Sequence, residues 1–231
     1  GTLRLAGLGS LAASSSLLVE SGAVFDTAGA SQPFSAATNN GTVSLGGGTI
    51  SVTGLLSGTG TIDGSAAVTG LHSPGNSPGI QTITGSLSYG PGASVLWEIT
   101  DNTTTNSPVA FDQIVVGGNL VFDAATSLSL SFDSAGSLID WEDAFWDTNQ
   151  SWTLWDVAGT TSSFGNLSIS AADWLDGAGL SLSAARPNAT FSLAQQGSDV
   201  VLSFTAVPEP STLVLVGLGL ATTAIIRRRR G

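Results

Sequence analysis

Over its first hundred residues the chain alternates apolar and polar positions in short runs separated by glycine. Thr2-Leu3-Arg4-Leu5, Ser16-Leu17-Leu18-Val19-Glu20, Thr42-Val43-Ser44-Leu45 and Thr49-Ile50-Ser51-Val52 are examples. A period of two between turn residues predicts strands that bury one face. The runs follow closely, with Gly41, Gly48 and Gly60 each opening a new one and Ala67-Val68-Thr69 coming next. Strands this short are ill suited to a sandwich. They fit the coils of a parallel β-solenoid, where each turn buries its apolar residues against the next. Small residues at the corners let the backbone turn tightly.

Asp101 to Pro108 (DNTTTNSP) breaks this pattern as a polar run without an apolar anchor, a linker or insertion. Beyond it the predicted strands lengthen: Asp112–Phe122, Ser127–Phe132, Ser151–Val157, Asn188–Leu193 and Asp199–Thr205. Of the six tryptophans only Trp97 precedes this region; Trp141, Trp146, Trp152, Trp155 and Trp174 lie within it. Longer strands with more aromatic bulk predict a terminal β-layer that closes the solenoid, because an open last turn would expose unpaired backbone. Trp141 to Trp146 predicts a short helix or turn, as does Ser170 to Asp176 with Ser170 as its N-cap. The expected fold is all-β: parallel β-helix (solenoid)-like repeats over 1–100, a linker or insertion at 101–108, a β-rich capping region over 109–206, and one C-terminal transmembrane helix within 207–231.

That last stretch joins three physically different segments. Val207-Pro208-Glu209-Pro210-Ser211 is stiff and acidic, Thr212 to Ile226 is uncharged, and Arg227, Arg228, Arg229 and Arg230 follow directly. As a helix, residues 211–226 would span roughly 24 Å at ~1.5 Å per residue. This is short for a hydrocarbon core of ~30 Å, but arginine stems reach the headgroups and the bilayer thins locally. A buried core helix is the alternative; the missing amphipathic face and the arginine clamp favour the membrane. The anchor would be Leu213, Val214, Leu215, Val216, Leu218, Leu220, Ile225 and Ile226. The arginines would mark the cytoplasmic side, leaving everything before Val207 outside.

This layout of VPEPST, short apolar helix and basic end resembles the PEP-CTERM sorting signal of Gram-negative bacteria. The resemblance implies recognition of Pro208, Glu209 and Pro210 by an integral-membrane exosortase that removes the anchor. A second resemblance lies in the body. Gly54-Leu55-Leu56-Ser57-Gly58-Thr59-Gly60-Thr61-Ile62-Asp63-Gly64, followed by Leu71 and His72-Ser73-Pro74-Gly75-Asn76-Ser77-Pro78-Gly79, is similar to the strand repeats of autotransporter passengers and related β-helix surface proteins. The similar stretch covers roughly residues 40 to 135. No β-barrel translocator follows, so a complete autotransporter is not expected. In the SPGNSPG segment, Pro74 and Pro78 fix φ while Gly75 and Gly79 permit positive φ, which predicts a stiff loop between coils.

Charge narrows the partners. Of 17 acidic residues only Glu209 lies in the tail, and of six arginines only Arg4 and Arg186 lie outside it. Residues 1–206 therefore carry 16 negative and 2 positive charges, a net −14. Such a surface repels nucleic acid and anionic lipid, so no nucleic-acid partner is expected. It also favours solubility outside cells. Cysteine is absent, which excludes disulfides and thiolate sites. Methionine is absent too and Gly1 falls inside a patterned segment, so a longer precursor with a signal peptide is expected.

Candidate chemistry is sparse. His72 is the only histidine and reads as an exposed loop residue; no G-x-S-x-G elbow surrounds any serine. Gly58 to Gly64 fails the spacing of a dinucleotide loop. The Asn-x-Ser/Thr triplets at Asn40, Asn102, Asn149, Asn166 and Asn188 are weak glycosylation signals in so Ser/Thr-rich a chain. Asp140, Glu142, Asp143 and Asp147 sit beside Trp141 and Trp146, a combination that could cleave or bind polysaccharide or hold calcium. A solvated loop with its tryptophans packed on the end strands is the simpler reading. The expectation is thus a non-enzymatic, structural or adhesin-like protein, without metal or cofactor, sorted to the cell surface or extracellular matrix. Its partners would be the exosortase, the membrane and extracellular polysaccharide. A polysaccharide-binding or polysaccharide-degrading β-helix protein using residues 140–147 is the alternative.

Overall fold

The computed structural model describes residues 1–6, 9–13, 15–106 and 109–207. The expected recognition motif Pro208–Pro210, the anchor from Leu213 to Ile226 and Arg227 to Arg230 lie outside the described residues. Among the described residues no helix is long and apolar enough to cross a membrane.

The body is mostly β. Its first half contains β1 (Thr2–Arg4), β2 (Ser16–Val19), β3 (Val24–Asp26), β4 (Gln32–Phe34), β5 (Ala36–Asn39) and β6 (Thr42–Val52). These are followed by β7 (Leu55–Gly58), β8 (Thr61–Val68), β9 (Leu71–Pro74), β10 (Ile80–Ile83), β11 (Leu87–Tyr89) and β12 (Ser94–Glu98). The second half contains β13 (Gln113–Val116), β14 (Leu120–Phe122), β15 (Thr126–Ser131), β16 (Gln150–Val157), β17 (Thr161–Ser162), β18 (Leu167–Ile169), β19 (Thr190–Gln196) and β20 (Asp199–Thr205). One helical turn, α1 (Leu182–Ala185), and two 3₁₀ turns at Ala144–Asp147 and Phe164–Asn166 complete it.

The chain alternates between two sheets. β2, β5, β7, β9, β12, β15 and β18 form one of them, parallel throughout. Between successive visits the chain crosses the other sheet, where β3, β6, β8, β10, β13 and β16 pair in parallel. Val24 pairs with Thr42, Thr42 with Thr61 and Thr61 with Thr82, so the chain returns to one ladder after 18, 19 and 21 residues. The long strand β6 bends at Gly46 and Gly47, both with positive φ, so its second half pairs with β4 while its first pairs with β3. Only glycine adopts two such consecutive conformations without strain.

Alternation in the sequence becomes stacking in space. Phe25, Val43, Ile62, Ile83, Val116 and Val157 face one another across successive strands, all buried. A second inward column runs Phe34, Val52, Val68, Tyr89 and Phe122. The coils sit so close that corner glycines are required: a Cβ on Gly70 would lie 2.0 Å from the Gly54 carbonyl oxygen.

The ladders continue past the polar run at 101–108, since β10, β11 and β12 pair with β13, β14 and β15. Its described part, 101–106, belongs to a loop closed at its neck by Thr100 N–H donating to the Ala110 carbonyl and an Ile99–Phe111 bridge. It has polar anchors: Asn106 Oδ1 accepts from Ala110 and Phe111 N–H at 2.8 and 3.2 Å. At the far end the pattern changes sense. β16 pairs antiparallel with β20, and β20 with β19, so the last parallel edge is covered by a hairpin. The expected strand Asp112–Phe122 is two strands broken at Gly117-Gly118, because the two halves follow different strands of the previous coil, β13 pairing with β10 and β14 with β11. The expected short helix or turn over Ser170–Asp176 forms as neither; that stretch is extended, with a bridge at Leu175. α1 lies later, with Ser181 as N-cap accepting from Ala184 N–H.

Candidate functional site

Polar chemistry in the body concentrates in two places. The first is the acidic, aromatic region at the hairpin end. Trp141 and Trp146 are 0% exposed and pack edge-on at 4.6 Å, with Phe132, Phe191 and Phe204 around them. Their N–H groups are spoken for: Trp141 Nε1 donates to the Trp174 carbonyl at 3.2 Å and Trp146 Nε1 to Asn102 Oδ1 at 2.9 Å. Trp152 Nε1 donates to the Thr103 carbonyl at 2.8 Å, so the loop tip at 101–106 is fastened to the tryptophan cluster. Neither Trp141 nor Trp146 offers a face to a sugar.

The neighbouring carboxylates shape backbone. Asp140 Oδ1 accepts from Glu142 N–H at 2.9 Å, and Asp143 Oδ1 caps the 3₁₀ turn by accepting from Phe145 N–H at 2.7 Å. Asp147 pairs with Arg186, whose Nε also donates to the Trp141 carbonyl at 2.7 Å and Nη2 to the Asp143 carbonyl at 3.0 Å. Glu142 and Asp147 thus line a polar cleft of about 290 Å³ with Arg186. Arg186 was the residue that sequence reasoning missed. It is one of two arginines in an acidic body, and that isolation was the available signal. Among the described residues, no three of His, Asp or Glu gather where they could share a metal ion.

The second place is in the core. His72 is not an exposed loop residue. It lies on β9 and is 0% exposed, in the inward column between Leu56 and Val95. The turn-rich SPGNSPG segment hides the fact that the period of Leu55-Leu56-Ser57 repeats in Leu71-His72-Ser73. The imidazole Nε2 lies 2.7 Å from Gln81 Oε1 and Nδ1 lies 2.7 Å from the Tyr89 hydroxyl. Gln81 Nε2 donates to the Ser57 and Gly58 carbonyls, so its Oε1 must accept the His72 Nε2 proton. Nδ1 therefore accepts from Tyr89 O–H, whose oxygen accepts from Trp155 Nε1 at 3.2 Å. Burial drives the His72 pKa down to about 4, only partly opposed by the Gln81 bond. Burial likewise raises that of Tyr89. Both imidazole nitrogens are occupied and the ring stays neutral, so it cannot serve as a general base for an external substrate.

Beside this network Asp112 is also buried. Its carboxylate accepts from Gly79 N–H at 2.7 Å and Glu98 N–H at 3.0 Å, fastening the SPGNSPG turn to the next coil. Glu98 accepts from the Ser77 hydroxyl at 2.9 Å. Burial, with the Glu98 charge adding to it, raises the Asp112 pKa to about 8 despite the two N–H donors. Within the turn, positive φ falls on Gly75 and on Ser77, and not on Gly79. Gly79 is needed for closeness instead: a Cβ there would lie 2.4 Å from the Gly75 Cα.

The body ends on β20, the strand of the closing hairpin that lies between β16 and β19. Asn149 Oδ1 accepts from Ala206 N–H at 2.9 Å, and Val207 is already 46% exposed. From this point residues 206–230 match the family described as the PEP-CTERM protein-sorting motif. No curated protein matches the chain. The motif marks an exported protein, processed by an exosortase in the membrane, with a membrane-anchored precursor in the cell envelope of Gram-negative bacteria.

Proposed function

We propose, on the premise of export and exosortase sorting, that the body is a parallel β-solenoid rod with a structural or adhesive, non-enzymatic role at the cell surface or in the extracellular matrix. The observation that carries this reading is the strict rotation of the chain: in each turn it pairs once with the uniform sheet and then crosses the other. Every strand in the middle of such a stack is hydrogen-bonded on both edges, which gives stiffness without disulfides. Length then grows by adding turns, each held by its own inward columns. In this reading coils run from 1–100 past the insertion at 101–108 as far as β18, while β19 and β20 form the closing end, and 207–231 is the sorting signal with Pro208, Glu209 and Pro210 as its recognition motif.

Consistent with a role that needs no chemistry, the carboxylates of Asp140, Asp143 and Asp147 are engaged in turns or with Arg186, and His72 is locked in the core. The test is to express the full chain in a host with and without an exosortase and to weigh the mature C-terminus by mass spectrometry. Loss of Arg227 to Arg230 only in the competent host is expected, together with a proteinase K-resistant body. A product that keeps Arg230 in both hosts removes the sorting half of the proposal. A body degraded as fast as an unfolded chain removes the rod.

A further inference from the structure

Five of the six tryptophans are at most 2% exposed, and Trp174 alone is only partly buried. It lines a cleft of about 230 Å³ together with Leu130, Phe132, Asp133, Asp173 and Leu175. The segment carrying it is held from both sides. The Trp174 carbonyl accepts from Leu182 N–H at 2.8 Å and from Trp141 Nε1. Leu175 bridges to Ser181, and Asp176 accepts from Ala178, Leu180 and Trp141 N–H. The ring itself stands edge-on against Phe191 at 5.2 Å and Phe132 at 6.4 Å. A cleft whose aromatic is fixed in this way loses little freedom when it is filled.

We propose that this cleft is a subsite for one neutral pyranose ring of an extracellular polysaccharide, with Trp174 as its platform. It goes beyond the rod reading and does not depend on it. The lining has two parts: an apolar floor of Trp174, Phe132, Leu130 and Leu175, the last 41% exposed, and carboxylates at Asp133 and Asp173. Asp173 is held ionised by the Ser183 hydroxyl at 2.7 Å and the Ser183 N–H, which lower its pKa. A pyranose matches both parts, with a C–H face for the indole and hydroxyl donors for the carboxylates. An ammonium or guanidinium ligand would use only the charges. At a solvent-exposed carboxylate such a pair is screened and worth little, so the apolar floor decides the class. The Trp174 N–H is buried and has no acceptor among the described residues, so the exposed part of the ring, and not its N–H, is what a ligand in the cleft would meet.

The geometry gives a direct assay, because acrylamide should quench mainly Trp174. Full chain in detergent micelles is titrated with cellohexaose, hexagalacturonic acid or pentalysine while acrylamide quenching of tryptophan fluorescence is followed. Millimolar cellohexaose is expected to protect at least half of the quenchable fraction, and hexagalacturonic acid to protect none, since Asp133 and Asp173 repel it. Trp174→Phe should remove most of the quenchable signal, and Asp133→Asn should weaken cellohexaose binding at least fivefold, read by calorimetry, with the far-ultraviolet circular dichroism unchanged. Absence of protection by cellohexaose, protection by pentalysine alone, or Asp133→Asn binding as tightly as the original chain would each overturn the proposal.

Discussion

Replacing His72 by leucine tests whether the buried polar network holds the coils together. The substitution leaves the Tyr89 hydroxyl without its acceptor and Gln81 Oε1 without its donor, both inside the core. An orphaned buried polar atom costs ~1–3 kcal/mol, and leucine returns part of this as apolar contact with Leu56 and Val95, so a net loss of about 2–4 kcal/mol at pH 7 is expected. The pH dependence is more diagnostic. A folded pKa of about 4 against an ordinary 6.5 means that the unfolded chain takes up a proton in this window and the folded chain does not. Stability supported by neutral His72 is therefore complete above pH 6.5 and declines as pH falls towards 4. Over that window the loss is ~3 kcal/mol, at ~1.4 kcal/mol per pKa unit.

Asp112 runs the other way. Its raised pKa makes the folded chain the better proton binder between about 4 and 8, so its contribution is complete at low pH and is lost as pH rises. The two slopes oppose each other below pH 6.5, and a wild-type curve alone would look flat there. The quantity to measure is the difference between wild type and His72→Leu in urea unfolding, from pH 4 to 8, with tryptophan fluorescence as the signal. That difference should fall from its value at pH 7 to near zero at pH 4. A difference independent of pH, or a variant as stable as wild type, refutes the network. Because His72 is the only histidine, its ring resonances also report directly, and titration near pH 6.5 in the folded protein would have the same force.

Other expectations follow from the same contacts. Asp112→Asn should abolish the fall in stability between pH 6.5 and 8 without raising stability at pH 6, because its amide meets the Glu98 N–H donor-to-donor; urea midpoints at several pH values check this. Gly70→Ala should lower the melting temperature by many degrees, since no flexible side chain can yield to the new Cβ. Gly165→Ala, with nothing within 4 Å, should change it little in the same calorimetric scan. Arg186→Ala should cost about 1–3 kcal/mol, with its bonds to Trp141, Asp143 and Asp147 lost together, and increased acrylamide quenching should show Trp141 opening.

What the sequence could determine was local. A period of two announces strands wherever it occurs, so Val43, Ile62 and their like were legible as inward residues. Three adjoining segments of opposite solubility announced the sorting tail equally well. Burial of polar residues was not legible, because it depends on which segments 16 to 41 residues apart come into register, as Leu56 does with His72 and Leu128 with Ile169. Trp141 and Trp146 read as a possible sugar platform until Phe132, Phe191 and Phe204 covered them, while Trp174, with no pattern to distinguish it, is the one left partly open. Arg186 found its partners 39 to 45 residues away. Alternation requires only the pleat of one strand; neighbours across coils, and so the environment of every polar side chain, are fixed only when the turns stack.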